Sequence, residues 1–229
     1  MTYDLLLAFV TFAFVSSITP GPNNLMLMAS GANFGFRRTI PHMLGVGLGF
    51  VAMLILVGVG LAQVFDAYPV TKTVLKVVSV VYLLWLAWKI AHASSPTTAD
   101  SEQRPITFLQ AAAFQWVNPK AWAMALTAVS VYAPSQSLAS MVLIGLLFGF
   151  VNLPCVSSWT VLGQQMRKVL STAGRLRAYN YTMAVLLVLS LYPVLFPAEA
   201  KVPSPREIAT VVTEEAASFS ANRAVNGLQ

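Results

Sequence analysis

Two short segments place polar and helix-breaking residues inside otherwise apolar runs, where they could do chemistry. The first is Thr19-Pro20-Gly21-Pro22-Asn23-Asn24, which follows "LLLAFVTFAFVSSI". The second is Val117-Asn118-Pro119-Lys120-Ala121-Trp122. Proline lacks an N–H and clashes with the preceding helical turn, so each segment breaks a helix and frees backbone groups. In hydrocarbon those groups cost several kcal/mol each unless they face protein or a wet cavity. Freed N–H groups at the start of a half-helix favour an anion, and freed carbonyls favour a cation.

The neighbours of both breaks are polar. Asn23, Asn24 and Asn118 flank them, and Gln115 lies about one turn before Lys120. Lys120 is the charged residue deepest in an apolar stretch, at a cost of about 2.5–3.5 kcal/mol on insertion scales. No acidic residue lies in the core of any apolar stretch to neutralise it. Either Lys120 faces a cavity, where it could hold a carboxylate or lose a proton, or its long stem snorkels to an interface. Pro20, Pro22 and Pro119 have the same two readings: they expose backbone to a site, or they kink helices for packing. Asn152, in "FGFVNLP" ahead of Pro154, is either a second polar wall or a helix–helix hydrogen-bond partner.

Composition identifies the solvent these elements sit in. The 229 residues are 57% hydrophobic and 10% charged, against about 25% charged in soluble domains. Met43–Val64 is long enough to span a bilayer and carries no charge. An all-α integral membrane protein is expected, with six spans at about Leu5–Ala32, Met43–Val64, about Val74–Ile90, about Phe108–Tyr132, Leu138–Leu162 and about Tyr179–Phe196. Tyr82, Trp85 and Trp88 could form an interfacial belt. Residues 1–197 make the transmembrane domain, and 198–229 a polar tail, in which Ser204 and Pro205 could start a short amphipathic helix. The N-terminus lacks the features of a cleaved signal peptide and is read as a retained first span. The net charge of +6 is spread over short loops and does not point to nucleic acid. The single Cys155 excludes an intramolecular disulfide.

Arg37, Arg38, Lys89, Arg104, Arg167, Lys168, Arg175 and Arg177 fall in the odd-numbered loops, against Lys72 and Lys76 in the even-numbered ones. The positive-inside rule then places the odd loops in the cytoplasm and both termini outside. The halves, about 1–92 and 105–197, also match weakly: Thr19-Pro20 with Asn118-Pro119, Gly45 and Gly49 with Gly145 and Gly149, and Tyr82 with Tyr181. Halves of three spans each would be inverted relative to one another, with spans one and four broken at corresponding points. Two inverted broken helices could hold both ends of a zwitterion. The four paired glycines are expected to permit close helix packing rather than line a site.

The motifs TPGPNN at Thr19–Asn24, GFR at Gly35–Arg37, YLLWLAWK at Tyr82–Lys89 and VNPKAW at Val117–Trp122 resemble the LysE/RhtB family of amino-acid exporters. The resemblance covers about Met1–Pro197. The stretches "SSITPGPNNLMLMASGANFGFRRT", "GVGLGF", "WLAWKIA" and "PITF" are most similar to its cysteine/O-acetylserine exporter branch. This implies a secondary transporter of the bacterial inner membrane that exports small neutral amino acids by proton antiport. It also implies a small-molecule substrate, the lipid bilayer and protons as partners and no cofactor, and it leaves open whether a second copy of the chain is a partner. Many relatives carry an aspartate in span two or five, where this chain has Phe50 and Asn152, so the resemblance leaves the proton-carrying group open. Thiol-electron carriers of the wider superfamily need a cysteine in each half. Metal permeases need His/Asp clusters, whereas His42 and His92 lie near expected span ends without acidic neighbours.

The expected substrate site is therefore Thr19, Pro20, Gly21, Pro22, Asn23, Asn24, Gln115, Asn118, Pro119, Lys120 and Asn152, with no metal. The alternatives are an exporter of another metabolite or inorganic ion, which predicts ligands not seen here, and a membrane scaffold, for which two polar breaks are needless. An intramembrane enzyme is disfavoured, because no nucleophile–base pair stands out.

Overall fold

Side-chain caps and prolines set most helix boundaries in the computed structural model of the chain. It describes residues 1–61, 67–68, 70–93, 104–133, 135, 137–170 and 172–195. The hydroxyl of Thr2 accepts from Leu5 N to start α1 (Tyr3–Ile18). Pro22 occupies the first turn of α2 (Pro22–Phe34). Gly35, at φ 79°, takes a left-handed conformation that glycine tolerates best, and α3 (Phe36–Leu56) starts directly after it. A π-helical turn, Val57–Leu61, continues α3. Then come α4 (Val70–Ala91), α5 (Phe108–Val117), α6 (Pro119–Tyr132), α7 (Leu138–Val169), α8 (Ala173–Leu189) and α9 (Tyr192–Leu195). Thr107 and Gln110 close a capping box on α5, and Asn118 caps α6. The polar tail, Asp66 and most of the linker after α4 lie outside the described residues, as does the helix expected behind Ser204.

Among the described residues, Phe36–Leu61, Thr73–Ala91 and Leu138–Val169 are each long and apolar enough to cross a membrane. Tyr3–Ile18 with Pro22–Phe34, bent by 54°, makes a fourth candidate if the pair is one broken span. Valines on the outer face of α4, such as Val74, Val77 and Val81, are exposed, as lipid contact requires.

Three expectations need correction. Helix α3 starts at Phe36 rather than Met43, α7 runs on to Val169, and α8 starts at Ala173. Arg37, Arg38, Arg167, Lys168, Arg175 and Arg177 therefore sit on helical end turns rather than in loops. His42 accordingly lies well inside α3, where it is fully buried. Tyr82 does not join an interfacial belt: its hydroxyl donates to the Gln110 carbonyl at 3.1 Å and its ring stacks on Phe114. Its expected repeat partner, Tyr181, is exposed.

Glycine permits the closest approaches. A Cβ at Gly31 would meet the Thr160 carbonyl oxygen, and one at Gly163 would meet the Met28 carbonyl oxygen, so the α2 and α7 backbones touch. Gly45 and Gly49 bring α3 against Phe108 and Ala112 of α5 in the same way. Gly149 meets Val51 of α3, so these glycines do serve packing. Gly163→Val should destabilise the protein by about 1–3 kcal/mol or more through overpacking. The control Gly174→Ala has open space. In detergent, the first should lower the thermal-aggregation midpoint and the second should leave it unchanged or raise it.

Candidate functional site

Breaking the first helix leaves the carbonyls of Ser17, Ile18 and Thr19 without their helical donors. Side chains from three helices satisfy them. Asn24 Nδ2 donates to Ser17 O at 2.8 Å and to Thr19 O at 2.9 Å. Trp159 Nε1, on α7, donates to Ile18 O at 3.1 Å. Lys120 Nζ, on α6, donates to Thr19 O at 2.7 Å. Lys120 thus bridges the two breaks, and its stem runs beside Gly21, where a Cβ would lie 2.9 Å from Lys120 Cδ. Any side chain at position 21 would displace it.

The second break is held from within its own segment. Asn118 N–H reaches back to Gln115 O, Asn118 Oδ1 accepts from Lys120 N at 3.1 Å, and Trp122 Nε1 donates to Trp116 O at 2.8 Å. Between the breaks, Asn23 and Gln115 exchange both amide hydrogen bonds, at 2.9 and 3.2 Å. On α7, Asn152 Nδ2 donates to Ser17 Oγ at 3.0 Å, while its buried Oδ1 has no partner among the described residues.

These groups surround one cavity of about 20 Å³, room for about one water. Of the residues singled out in the sequence, Gly21, Asn23, Asn24, Gln115, Asn118, Lys120 and Asn152 line it. Thr19, Pro20, Pro22 and Pro119 do not: Thr19 contributes its carbonyl, its hydroxyl turns back to Val15 O, and the prolines shape the breaks. Ser16, Ser17, Val46, Phe50, Ala121, Met124 and Val156 also line it, and none of them is among the expected site residues. A serine one turn before a helix break was the one signal that could have pointed to Ser17.

Lys120 is the one charged side chain among the lining residues. No side chain caps the N-terminus of α2 at Gly21, so that helix end adds positive potential beside it. Asn152, which also lines the cavity, has an amide oxygen without a partner among the described residues. A cation, a helix start and an unpaired amide oxygen are the kinds of group that a carboxylate and an ammonium would need. At 20 Å³ it is closed around its own side chains, and Lys120 rests on a backbone carbonyl where an anion would otherwise hold it.

The LysE type translocator family matches residues 14–190. The cysteine/O-acetylserine efflux proteins of Escherichia coli (strain K12) and Shigella sonnei (strain Ss046) are each 34% identical to this chain over 193 residues, covering 82% of this chain and 96% of theirs. The protein of the same name from Escherichia coli O139:H28 is 33% identical over the same length. No solved structure matches.

Proposed function

The chain belongs to the LysE type translocators, membrane transporters rather than enzymes, and on that premise we propose that it exports a small neutral amino acid or derivative, of the cysteine/O-acetylserine kind, from the bacterial cytoplasm by proton antiport. The observation carrying this reading is the contact of Lys120 with the carbonyl freed by the opposite break. In the proposed cycle Lys120 leaves Thr19 O for the substrate carboxylate, the uncapped start of α2 supports that carboxylate, and Asn152 Oδ1 accepts from the substrate ammonium. With one cation and one free acceptor, a second charge on the substrate has no partner. Val46, Phe50, Met124 and Val156 give its side chain an apolar wall.

The proposed frame is six spans, with α1 plus α2 and α5 plus α6 as the two broken ones and two inverted halves of three spans. Its support is a mirrored packing pattern. Helix α1 packs on α7 while α5 packs on α3, α2 packs on α7 while α6 packs on α3, and α3 meets α7 as α4 meets α8. With both termini outside, the rings of Phe9, Phe12, Phe50, Phe148 and Tyr132 close the periplasmic side of the cavity. Phe50 and Phe148 lie 4.6 Å apart between centroids, and Phe12 stacks on Tyr132 at 5.3 Å.

Reporter fusions at Ala99 and Gly174 should read cytoplasm, and those at Asp66 and Ser135 periplasm. A periplasmic signal at Gly174 contradicts this topology. The function is tested with everted membrane vesicles, in which export becomes accumulation in the lumen. Vesicles carrying the protein should accumulate labelled cysteine or O-acetylserine above control vesicles, and should not accumulate lysine or glutamate. No accumulation of any neutral amino acid would refute the function.

A further inference from the structure

His42 stands on α3 between two cavities and belongs to neither lining. It is fully buried, and neither ring nitrogen has a hydrogen-bond partner among the described residues. Leaving buried polar atoms unpaired costs about 1–3 kcal/mol each, so a state that wets the ring or gives it a partner is favoured, and only such a state lets it carry a charge, because burial opposes the charged form. On one side lies a cavity of about 220 Å³ whose lining includes Ser30, Asn33, Lys89 and Ile106. Ser30 Oγ and Thr39 Oγ1 are 3.0 Å apart, and because the Thr39 hydroxyl donates to Gly35 O at 2.8 Å, Ser30 is the donor of the pair in this state. Thr39, also fully buried, is one turn before His42. On the other side, Val46 and Phe50 continue the same stripe of α3 at helical spacing and line the substrate cavity. Positions 39, 42, 46 and 50 thus form one face running from the first cavity to the second.

We infer that His42 is the proton carrier of the antiport, a step that rests on the proton-antiport reading above. The imidazole takes one proton on a ring nitrogen from the substrate-cavity side, becoming an imidazolium. It then moves a ring nitrogen to Thr39 Oγ1 and releases the proton there, as Thr39 passes its own hydrogen to Ser30 and Ser30 passes its hydrogen into the larger cavity, so that each oxygen gains one O–H bond and loses one. Lys89, on α4, lines the larger cavity. Helices α2 and α5, which pack on α3, carry no titratable side chain. Helix α6 brings Lys120 and Tyr132, with Lys120 held on Thr19 O. Helix α7 brings Cys155, and Arg167 and Lys168 in its last turn. Arg37 and Arg38 lie in the first turn of α3 itself. No carboxylate is among these groups, and an imidazole reached by water exchanges protons near neutral pH, so the exchange belongs to a state that opens one of the two cavities to the ring.

The test uses the purified full chain in liposomes containing a pH-sensitive dye, with reduced, labelled L-cysteine as the probe. Three quantities are read: transport driven by a pH gradient, proton flux on adding cysteine, and cysteine exchange at equal pH. In His42→Gln, gradient-driven transport and cysteine-dependent proton flux should fall to the level of empty liposomes while exchange continues. Proton flux in His42→Gln equal to wild type overturns the assignment to His42 alone. Cysteine transport without proton flux in the wild type refutes antiport, and the inference with it. Loss of exchange together with coupling, in both His42→Gln and the smaller His42→Asn, assigns the ring a packing role and also overturns the proposal.

Discussion

Lys120→Met is expected to abolish export, whereas Lys120→Arg should keep a measurable part of it. Methionine keeps much of the length and the apolar stem of lysine but carries no charge. In the closed structure it removes the donor to Thr19 O, and in the proposed loaded state it removes the partner of the substrate carboxylate. Truncating one member of a buried, hydrogen-bonded charge pair costs about 2–5 kcal/mol, or roughly thirtyfold to several thousandfold in affinity. Arginine keeps the charge, but its planar guanidinium needs more room than the ammonium, and the stem is already tight against Gly21. The measurement is cysteine accumulation in everted vesicles at matched expression, over a range of concentrations. Normal export by the methionine variant would reduce Lys120 to a snorkelling side chain and remove it from the site.

The second large effect concerns the first break. Replacing Pro20 and Pro22 together with alanine returns the N–H missing at position 22 and removes both ring clashes with the preceding turn. In a continuous helix, Ser17 O, Ile18 O and Thr19 O would accept from the backbone four residues on. Asn24, Trp159 and Lys120 would then lose the acceptors that hold them, and the uncapped start of α2 would cease to exist. The double variant should insert and express, because its hydrophobic length is unchanged, yet transport should fall about tenfold or more, a loss of about 1.4 kcal/mol or more. Wild-type transport in this variant would leave the prolines as simple kinks.

The site was legible where polar residues stand out against an apolar background. Asn23, Asn24, Gln115, Asn118 and Lys120 could be picked out because each is costly in hydrocarbon unless it has a purpose. Trp159 could not be, since an indole in an apolar span is ordinary and its role exists only where α7 passes the end of α1. Phe50 and Val46 were hidden for the same reason: apolar lining is set by which face of α3 meets the cavity. The two readings of Asn152 turn out to be compatible, because its amide nitrogen bonds Ser17 while the residue also lines the cavity. Helix ends were misjudged where charges mark the limit of the hydrocarbon but not of the helix, as at Arg37 and Arg167. His42 is such a case: it is close to the charges at Arg37 and Arg38 in sequence, yet it lies in the second turn of α3 and is fully buried.

The most direct measurement is equilibrium binding of three compounds to the purified protein: cysteine, its analogue without the carboxylate (cysteamine), and its analogue without the amine (3-mercaptopropionate). A site built from Lys120 with the start of α2 at one end and Asn152 at the other should bind cysteine at least about tenfold more tightly than either analogue, a difference of about 1.4 kcal/mol. The preference over cysteamine should vanish in Lys120→Met. Cysteamine binding as tightly as cysteine to the wild type would contradict a carboxylate held between the two broken helices.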